Sequence, residues 1–243
     1  MDIINYLSLF WFTAILVSFL NCIIYRYVTV ESCHLREFIK SSHCDYCKEK
    51  INIQYILPII GYLLSTGKCK NCSKIIPLYY LMSECILALM ALYVYYKFSL
   101  YGVGFYYLVM VLISITYIDI KKNIIPLIFT IPLALSGIIF MSLKYHSMSY
   151  IYGAMCGFFL VTFTMLFVSY IRKENVIAGG DIALITSAGS WLGIVNMPMF
   201  IILTSILFIV HALPFRLRGS IYTPMGPSIS LGFLLCLALH LLY

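Results

Sequence analysis

Charged side chains are scarce in this 243-residue sequence. Asp, Glu, Lys and Arg make up 10% of it, whereas 63% of the residues are hydrophobic. An ordinary soluble domain has about 25% charged residues, so this composition excludes that class of protein. Runs of about 20 apolar residues are typical of transmembrane helices. The sequence therefore predicts a polytopic membrane protein.

The apolar runs predict an all-α fold with about eight transmembrane helices. The predicted spans are 5–25, 75–96, 101–118, 124–143, 150–171, 182–195, 197–213 and 228–242. The sixth and eighth runs are short, which leaves their ends open. The first run lacks a preceding basic segment and a small-residue cleavage site, so we expect a retained anchor and not a removed signal peptide.

Basic residues are nearly missing from one side of this predicted topology. Of the 16 Lys and Arg residues, only Lys97 and Lys144 fall on that side, and the rest lie between spans one and two or after spans three, five and seven. The side richer in Lys and Arg is normally cytoplasmic. The net charge of +7 is then a topology signal, and we expect no nucleic-acid partner. Anionic lipid or an acidic protein remains a possible partner of the basic face.

One polar segment, residues 26–74, carries two Cys-x2-Cys pairs. Cys44, Cys47, Cys69 and Cys72 have the arrangement in which two turns supply four thiolates to one tetrahedral zinc ion. A site closed by four thiolates is structural and not catalytic. Because the charge bias places this segment in a reducing compartment, zinc is favoured over two disulfides or a redox role.

The polar segment 26–74 divides the chain into three predicted parts. We expect a first transmembrane helix at 1–25, a small cytoplasmic zinc-binding domain at 26–74, and a membrane core at 75–243. A loop of this size has too small a hydrophobic core to fold well alone. We therefore expect its folding to depend on the metal.

Acidic residues number only nine, and three of them fall within or at the ends of apolar runs: Glu84, Asp119 and Asp181. Acids at membrane depth are costly, so each is a functional candidate. The topology puts Asp119 at the cytoplasmic end of span three and Asp181 at the cytoplasmic start of span six. Two carboxyl groups in a wet pocket are the arrangement of aspartic proteolysis: one draws a proton from water and the other donates to the peptide carbonyl.

Local features refine this hypothesis. The pair Gly179–Gly180 permits close backbone approach and non-helical torsions before Asp181. Helix dipoles favour Asp181 as the ionised base and Asp119 as the protonated acid, although a coupled pair shares its protons. Glu84, near the middle of span two, either orients a group in the cavity or, as we expect, pairs with a hydroxyl or lysine. Residues 223–227 form either a helix-initiating turn or a loop lining the pocket.

Stretches along nearly the whole chain, taken in order, resemble the type IV prepilin peptidases, membrane aspartic proteases with the motif Gly-x-Gly-Asp. They are "SFLNCIIYR" (18–26), "SSHCDYC" (41–47), "LPIIGYLLSTGKCKNCSKI" (57–75) with the following Glu84, "IDIKKNIIP" (118–126), "AGGDIALITSAGSWLG" (178–193) and "PMGPSISLG" (224–232). Together these stretches are more specific than any single motif.

The resemblance implies an activity and a site. Asp119 and Asp181 would be the catalytic acids. The supporting residues would be Gly179, Gly180, Glu84, Pro224, Gly226 and Pro227, and the four cysteines would bind zinc. The implied substrates are prepilins or pseudopilins, cleaved after a short basic leader at the cytoplasmic face of a bacterial inner membrane. Many relatives also methylate the new N-terminus with S-adenosylmethionine, but no separate sequence feature indicates a pocket for that cofactor. Neither does any feature indicate the oligomeric state.

Four positions depart from the family pattern. Ala178 stands at the first glycine of the motif, Ala183 at a frequent lysine, Leu127 at a frequent acid and Val28 at a usual proline. None of these changes removes a catalytic group.

Two other functions compete with this interpretation. An ion-coupled transporter with a cytoplasmic zinc knuckle would need a polar path to the outer side, where the spans have few ionisable groups. A redox membrane protein that uses its Cys-x2-Cys pairs would need them on an oxidising face, contrary to the topology predicted from Lys and Arg. A zincin metalloprotease is not favoured, because the sequence has no His-Glu-x-x-His. The scattered histidines, including His211, are expected to be structural or interfacial.

Overall fold

The computed structural model of the protein describes residues 2–29, 41–175, 177–217, 219 and 223–242, so part of the predicted zinc-binding segment (30–40) lies outside them. Within these residues the structure is helical, with two isolated β-bridges and no β-strand. The helices are α1 (Asp2–Thr29), α2 (Ile53–Ile56), α3 (Ile60–Ser65), α4 (Tyr79–Lys122), α5 (Leu127–Tyr145), α6 (Ser149–Arg172), α7 (Gly179–Leu217) and α8 (Gly226–Leu242). The predicted all-α class is confirmed.

Five of these helices are long and apolar enough to cross a membrane: α1, α4, α5, α6 and α7. A straight helix of 44 residues, the length of α4, would measure about 66 Å, roughly twice the thickness of a bilayer's hydrocarbon core. Ser99 (φ 58°) interrupts α4, and Gly193 (φ 73°) interrupts α7. Ser99 lies between the predicted spans 75–96 and 101–118, and Gly193 lies just before the predicted end of span 182–195. The count of about eight spans stays a prediction.

The outer faces of these helices are apolar. Phe163 is 70% exposed and Tyr170 is 84% exposed on α6, and Val195 is 80% exposed on α7. A soluble protein rarely leaves so many large apolar side chains in water. Lipid is the solvent in which such faces are stable, as the sequence composition predicts.

The chain forms two compact units, residues 1–106 and 107–243. In the N-terminal unit, Tyr6 of α1 packs edge-on against Tyr95 of α4, with ring centroids 5.4 Å apart. The amide of Asn21 also donates a 2.9 Å hydrogen bond to the hydroxyl of Ser83. A polar pair of this kind helps to fix two helices where lipid offers no competing partner.

The C-terminal unit is built around α7, which packs against α5, α6 and α8. The indole N–H of Trp191 donates to the Leu133 carbonyl at 2.9 Å, and the Ser187 hydroxyl donates to the Thr130 carbonyl at 2.8 Å. Both bonds join α7 to α5. The first segment of α7, which begins near Asp181, is therefore held rigidly against its neighbour.

Two glycines let α6 and α7 approach closely. A methyl group at Gly189 would collide with the backbone of Gly153, and one at Gly153 would collide with the backbone of Gly189. Small residues at such crossings let helix backbones approach, and in lipid this packing replaces the hydrophobic effect as the attractive interaction. The contact positions the first segment of α7.

We expect Gly189→Ala to lower the thermal unfolding midpoint of the detergent-solubilised protein by several degrees, because overpacking costs about 1–3 kcal/mol. Ser205→Thr, which also adds one carbon but on the exposed face of α7, is the matched control and should unfold close to the wild type. Equal midpoints for both variants would show that the crossing tolerates an added methyl group.

Candidate functional site

Asp119 lies in the last turn of α4 and is only 4% exposed. Its Oδ2 atom accepts a 2.7 Å hydrogen bond from the backbone N–H of Gly226, the first residue of α8. The first N–H groups of a helix have no partner inside the helix, so a carboxylate is a favourable acceptor there. A Cβ at Gly226 would lie 2.8 Å from Oδ2, so the contact requires glycine.

The sequence left open whether residues 223–227 form a helix-initiating turn or a loop lining the pocket, and the segment combines both roles. Pro224 is buried, and Pro227 is the second residue of α8, where its missing N–H costs no helical hydrogen bond. The Ile229 N–H closes the first turn on the Met225 carbonyl at 3.0 Å. The segment starts a helix and, in doing so, directs an N–H group at Asp119.

Asp181 lies in the first turn of α7 and is half-buried. The expectation of a non-helical backbone at the two preceding glycines is wrong: both belong to the helix and neither has a positive φ. The expected close approach is present at Gly180, where a Cβ would lie 2.6 Å from the carbonyl oxygen of Ile125. At Gly179 nothing lies within 4 Å of that position. The two glycines therefore differ in their surroundings: a side chain at Gly180 would collide with Ile125, whereas one at Gly179 would not meet a neighbour.

A short connection brings the two acids together. Asn123, in the left-handed conformation (φ 52°), ends α4, and its N–H donates to the Asp119 carbonyl at 2.8 Å. The chain then passes through Ile125, which packs on Gly180 next to Asp181. The carboxyl groups of Asp119 and Asp181 are near enough for their charges to act on one another. The structure thus brings together the two acids that the sequence singled out.

One residue beside the acids was not predicted as part of the site. His211, on the second segment of α7, interacts electrostatically with Asp119, and its Nδ1 atom lies 3.4 Å from the Ser228 hydroxyl. Its ring also packs edge-on against Phe215, with centroids 5.3 Å apart. The sequence could have pointed to His211, because this residue lies shortly before Arg216, on the same predicted side of the membrane as the two acids.

The groups around Asp119 influence which of the two acids carries the proton. The Gly226 N–H and His211 both provide groups that stabilise a negative charge at Asp119. The burial of Asp119 acts in the opposite direction and disfavours a negative charge there, so these contacts do not decide which acid is protonated. The assignment of acid and base within the pair stays a prediction.

Ala178 and Leu127 show how the family departures are accommodated. Ala178 has no positive φ, so its methyl group meets no backbone restriction at the first position of the motif. Its carbonyl accepts the Ile182 N–H at 3.2 Å, which closes the first turn of α7. Leu127 is the first residue of α5 and is 49% exposed. Neither substitution disturbs the helix ends that carry the acids.

Glu84 lies in the second turn of α4, because residues 75–78, which the sequence predicts as the start of the span, remain outside the helix. Its depth near the middle of a membrane span stays a prediction. Among the described residues, its Oε2 atom accepts a 2.7 Å hydrogen bond from the backbone N–H of Ile59, where the sequence led us to expect a hydroxyl or lysine. Glu84 belongs to the N-terminal unit. Its predicted support of the two aspartates stays a prediction.

The four cysteines form the second candidate site. The sulfur atoms of Cys44, Cys47, Cys69 and Cys72 all lie within 4.8 Å of one another. Two of the Sγ···Sγ distances are 3.8 and 3.9 Å. Four thiolates at 2.3 Å from one zinc ion would be about 3.8 Å apart in a tetrahedron. The cluster therefore has the composition and the spacing of a zinc site.

The two Cys-x2-Cys turns share one backbone design. In each, the first cysteine's carbonyl accepts an N–H from the residue after the second cysteine, at 2.8 Å from Lys48 and 2.9 Å from Ser73. Both of these residues are left-handed, with φ near 58° and 57°. A β-bridge closes each turn, His43 with Lys50 and Lys68 with Ile75. The repeated turn explains how cysteines from two distant segments present their thiols to one point.

The thiols affect one another's protonation. Backbone N–H groups of Cys72 and Asn71 lower the pKa of Cys69 to about 6. The Lys74 N–H also lowers the pKa of Cys72, but desolvation and the neighbouring thiols outweigh it and raise that pKa to about 11. The crowded thiols resist full deprotonation without a cation. A bound metal would supply the compensating positive charge.

Fold and sites together define a multi-pass membrane protein with two interacting carboxyl groups at helix ends and a separate four-cysteine cluster. The bacterial peptidase A24 N-terminal domain family matches residues 11–98, and the type IV leader peptidase family matches residues 106–213. No solved structure gives a significant match to the chain.

Two similar proteins match this chain over nearly their whole length, and a third matches it over a shorter part. A prepilin leader peptidase/N-methyltransferase of Vibrio cholerae is 29% identical over 247 residues, 95% of each chain. The type 4 prepilin-like proteins leader peptide-processing enzyme of Escherichia coli O78:H11 is 25% identical, over 94% of this chain and 92% of its own. A prepilin leader peptidase/N-methyltransferase of Neisseria gonorrhoeae is 29% identical, over 79% and 68%.

Residues 106–213 of the chain belong to the type IV leader peptidase family, and residues 11–98 match the bacterial peptidase A24 N-terminal domain family. The two family matches together extend over most of the sequence, and the resemblance predicted from its motifs is confirmed. The protein is accordingly a membrane peptidase, and the alternative of an ion-coupled transporter has no support from these relatives.

The two glycines before Asp181 provide a matched pair of variants. We expect Gly180→Ala to reduce peptidase activity by about tenfold or more, because the added methyl group must push Ile125, and with it the end of α4, away from Asp181. Gly179→Ala, where the methyl group meets no neighbour, should change activity by less than about twofold. Peptide-cleavage rates of both variants, with thermal unfolding as a check on folding, measure the difference. Equal effects would contradict the importance of the Ile125 contact.

Proposed function

We propose that this protein removes the basic leader from type IV prepilins or pseudopilins by aspartic proteolysis, with Asp119 and Asp181 as its catalytic acids. The observation that carries the proposal is the juxtaposition of these two carboxyl groups in a chain of the leader peptidase family. The names of the relatives support the substrate class. The interacting pair supports the chemistry.

The mechanism needs one ionised and one protonated carboxyl group. The ionised carboxylate takes a proton from a water molecule, whose oxygen attacks the carbonyl carbon of the scissile peptide. The protonated carboxyl stabilises the developing oxyanion by donating to the carbonyl oxygen, and the amine leaves with a proton. Electrostatic interaction between the two acids disfavours the doubly ionised state, so a single shared proton suits this task.

Surrounding groups hold the pair for this reaction. Gly226, at the start of α8, fixes one oxygen of Asp119 through its N–H. Gly180 lets Ile125 pack close to Asp181. Pro224 and Pro227 flank Gly226 and restrict the backbone that presents this N–H. At Gly179, by contrast, a Cβ would meet no described atom within 4 Å.

The site faces the cytoplasm in this proposal, and the membrane is the bacterial inner membrane. The distribution of Lys and Arg supports this orientation, because the predicted loops next to the ends of α4 and α6 are basic. A prepilin leader is basic and is retained on the cytoplasmic side. The scissile bond between leader and hydrophobic helix would then lie at the depth of the helix ends that carry the two acids.

The segment 26–74 acts as a small cytoplasmic domain organised by zinc. The sulfur spacing of its four cysteines fits a tetrahedral ion, and all four ligand positions are then filled by protein. The ion is therefore structural and takes no part in peptide hydrolysis. Transfer of a methyl group from S-adenosylmethionine to the new N-terminus is the second proposed activity, supported by the names of the relatives.

Replacing either acid tests the protease mechanism. We expect Asp119→Asn and Asp181→Asn each to lower the rate of leader cleavage by about a hundredfold or more, because an amide cannot exchange the required proton. Glu174→Gln makes the same chemical change at an exposed position after α6 and should cleave at the wild-type rate. The measurement is release of the leader from a prepilin in detergent or liposomes. Full activity in either Asp variant would exclude the mechanism.

Metal analysis tests the cysteine cluster. We expect about one zinc ion per purified chain, measured by elemental mass spectrometry, and its loss in Cys69→Ser, because three remaining thiolates leave the ion's fourth position open. Cys156→Ala removes a cysteine from α6 outside the cluster and should keep the full zinc content. Recovery of the protein with two disulfides and no metal would contradict a zinc site.

A further inference from the structure

His211 lies beside the aspartate pair, and the mechanism described above gives it no task. It is half-buried on the second segment of α7, 30 residues after Asp181. A straight helix would place these two residues about 45 Å apart. Gly193, at φ 73°, interrupts α7 between them, and the chain returns after it. Both ends of α7 are therefore near enough to act on the carboxyl group of Asp119.

Two contacts attach His211 and Asp119 to the same short piece of backbone. The Nδ1 atom of His211 lies 3.4 Å from the hydroxyl oxygen of Ser228. The Oδ2 atom of Asp119 accepts the 2.7 Å hydrogen bond from the N–H of Gly226. Ser228 and Gly226 both belong to the first turn of α8. That turn therefore holds the imidazole and the carboxyl group in a fixed relation.

The ring of His211 has a fixed orientation as well. Phe215, four residues later on the same helix, packs against it with ring centroids 5.3 Å apart and planes at 73°. Residues at this spacing are neighbours on one helix face. Ser228 restrains a ring nitrogen and Phe215 restrains the ring plane. A side chain restrained in both ways presents its charge from one position.

Burial makes this position effective. Asp119 is 4% exposed and Ser228 is 3% exposed, and water screens buried charges much less than exposed ones. An imidazole can carry a positive charge near neutral pH, and His211 interacts electrostatically with Asp119. Lys121 follows Asp119 in the chain but is exposed, so its charge is screened. Among the described residues, His211 is the side chain best placed to offset a negative charge at Asp119.

Aspartic proteolysis requires Asp119 to be ionised at one stage of every turnover. If Asp119 is the base, it is ionised before water attacks the peptide. If it is the acid, it becomes ionised when its proton passes to the substrate. A cation held beside the carboxyl group stabilises the ionised stage in both cases. An imidazole that only connected two helices would have no such effect.

We propose that His211 is a positioning residue of the aspartate pair, which keeps Asp119 against the start of α8 and offsets its negative charge during turnover; the proposal rests on the proteolysis proposed above. His211 acts through Asp119 and exchanges no proton with the peptide. The site thereby extends to the second segment of α7, which lies outside the sequence stretches that resemble the family.

A ring of similar shape without nitrogen atoms separates the charge of His211 from its packing. His211→Phe keeps a ring beside Phe215. We expect kcat for cleavage of a prepilin in detergent to fall by about tenfold, because the ionised stage of Asp119 loses its cation. KM should change by less than about threefold, since the substrate does not contact His211. An unchanged kcat, or a loss confined to KM, would overturn the proposal.

Leu213→Phe is the matched control for the added ring. Leu213 lies two residues from His211 on the same helix and is 57% exposed. A phenyl ring there meets lipid or detergent, so both kcat and KM should stay within about twofold of the wild type. A tenfold loss of kcat in this variant too would show that the helix tolerates no new ring, and the proposal would lose its support.

A double-mutant cycle tests the contact without a prepilin. Thermal unfolding midpoints of the wild type, His211→Phe, Asp119→Asn and the double variant are measured in detergent from about pH 5 to 8, the range in which an imidazole titrates. Effects of interacting residues are not additive. We expect the drop caused by His211→Phe to be at least halved in the Asp119→Asn background at one or more of these pH values, because an amide has no charge to offset. Additive drops at every pH would mean that His211 only connects helices and would overturn the proposal.

His211→Asn replaces His211→Phe in both measurements if the Phe variant does not fold. It keeps a polar group near Ser228 but cannot become charged, so the same loss of kcat and the same non-additive midpoints are expected. Failure of the two proposals is distinguishable. A wild type that cleaves no prepilin would reject the proteolysis, whereas a cleaving wild type with an equally active His211 variant would reject only the positioning role.

Discussion

The hydrogen bond between the Gly226 N–H and Asp119 is the contact on which the candidate protease site depends. A carboxylate so far removed from water is costly at a membrane boundary unless a donor compensates its charge. The start of α8 supplies this donor without a side chain, and the absence of a Cβ at Gly226 makes the 2.7 Å approach possible. The same bond fixes the end of α4 against α8, so the position of the acid and the packing of the helices are set together.

Close contacts at glycines also fix the positions of other helices in the C-terminal unit. Gly180 meets Ile125, Gly189 meets Gly153, and Gly226 meets Asp119. Each contact brings a helix end or a helix crossing nearer than any side chain would allow. Lipid provides no hydrophobic force between helices, so packing of this kind and internal hydrogen bonds decide their arrangement. The acids are thereby held by backbone, which is stiffer than a network of long side chains.

The N-terminal unit is stabilised differently, because its polar segment has only a small hydrophobic core. Two repeated turns, each closed by a β-bridge and a left-handed residue, bring four thiols to one point. Ile59, at φ 61°, and its hydrogen-bond partner Glu84 lie in the same unit and border a cavity of about 780 Å³. A metal that fixes both turns would also fix the part of that cavity's wall that the turns provide.

The sequence by itself determined the class of fold, the two acids and the four cysteines, because hydrophobic runs, rare charges and Cys-x2-Cys spacing are local patterns. It did not show that the backbone N–H of Ile59 is the hydrogen-bond partner of Glu84, or that only Gly180 of the glycine pair meets a close neighbour. His211 was also missed, because its place beside Asp119 arises from a helix that returns after Gly193. These features depend on contacts between segments far apart in the chain, and only the tertiary structure brings such segments together.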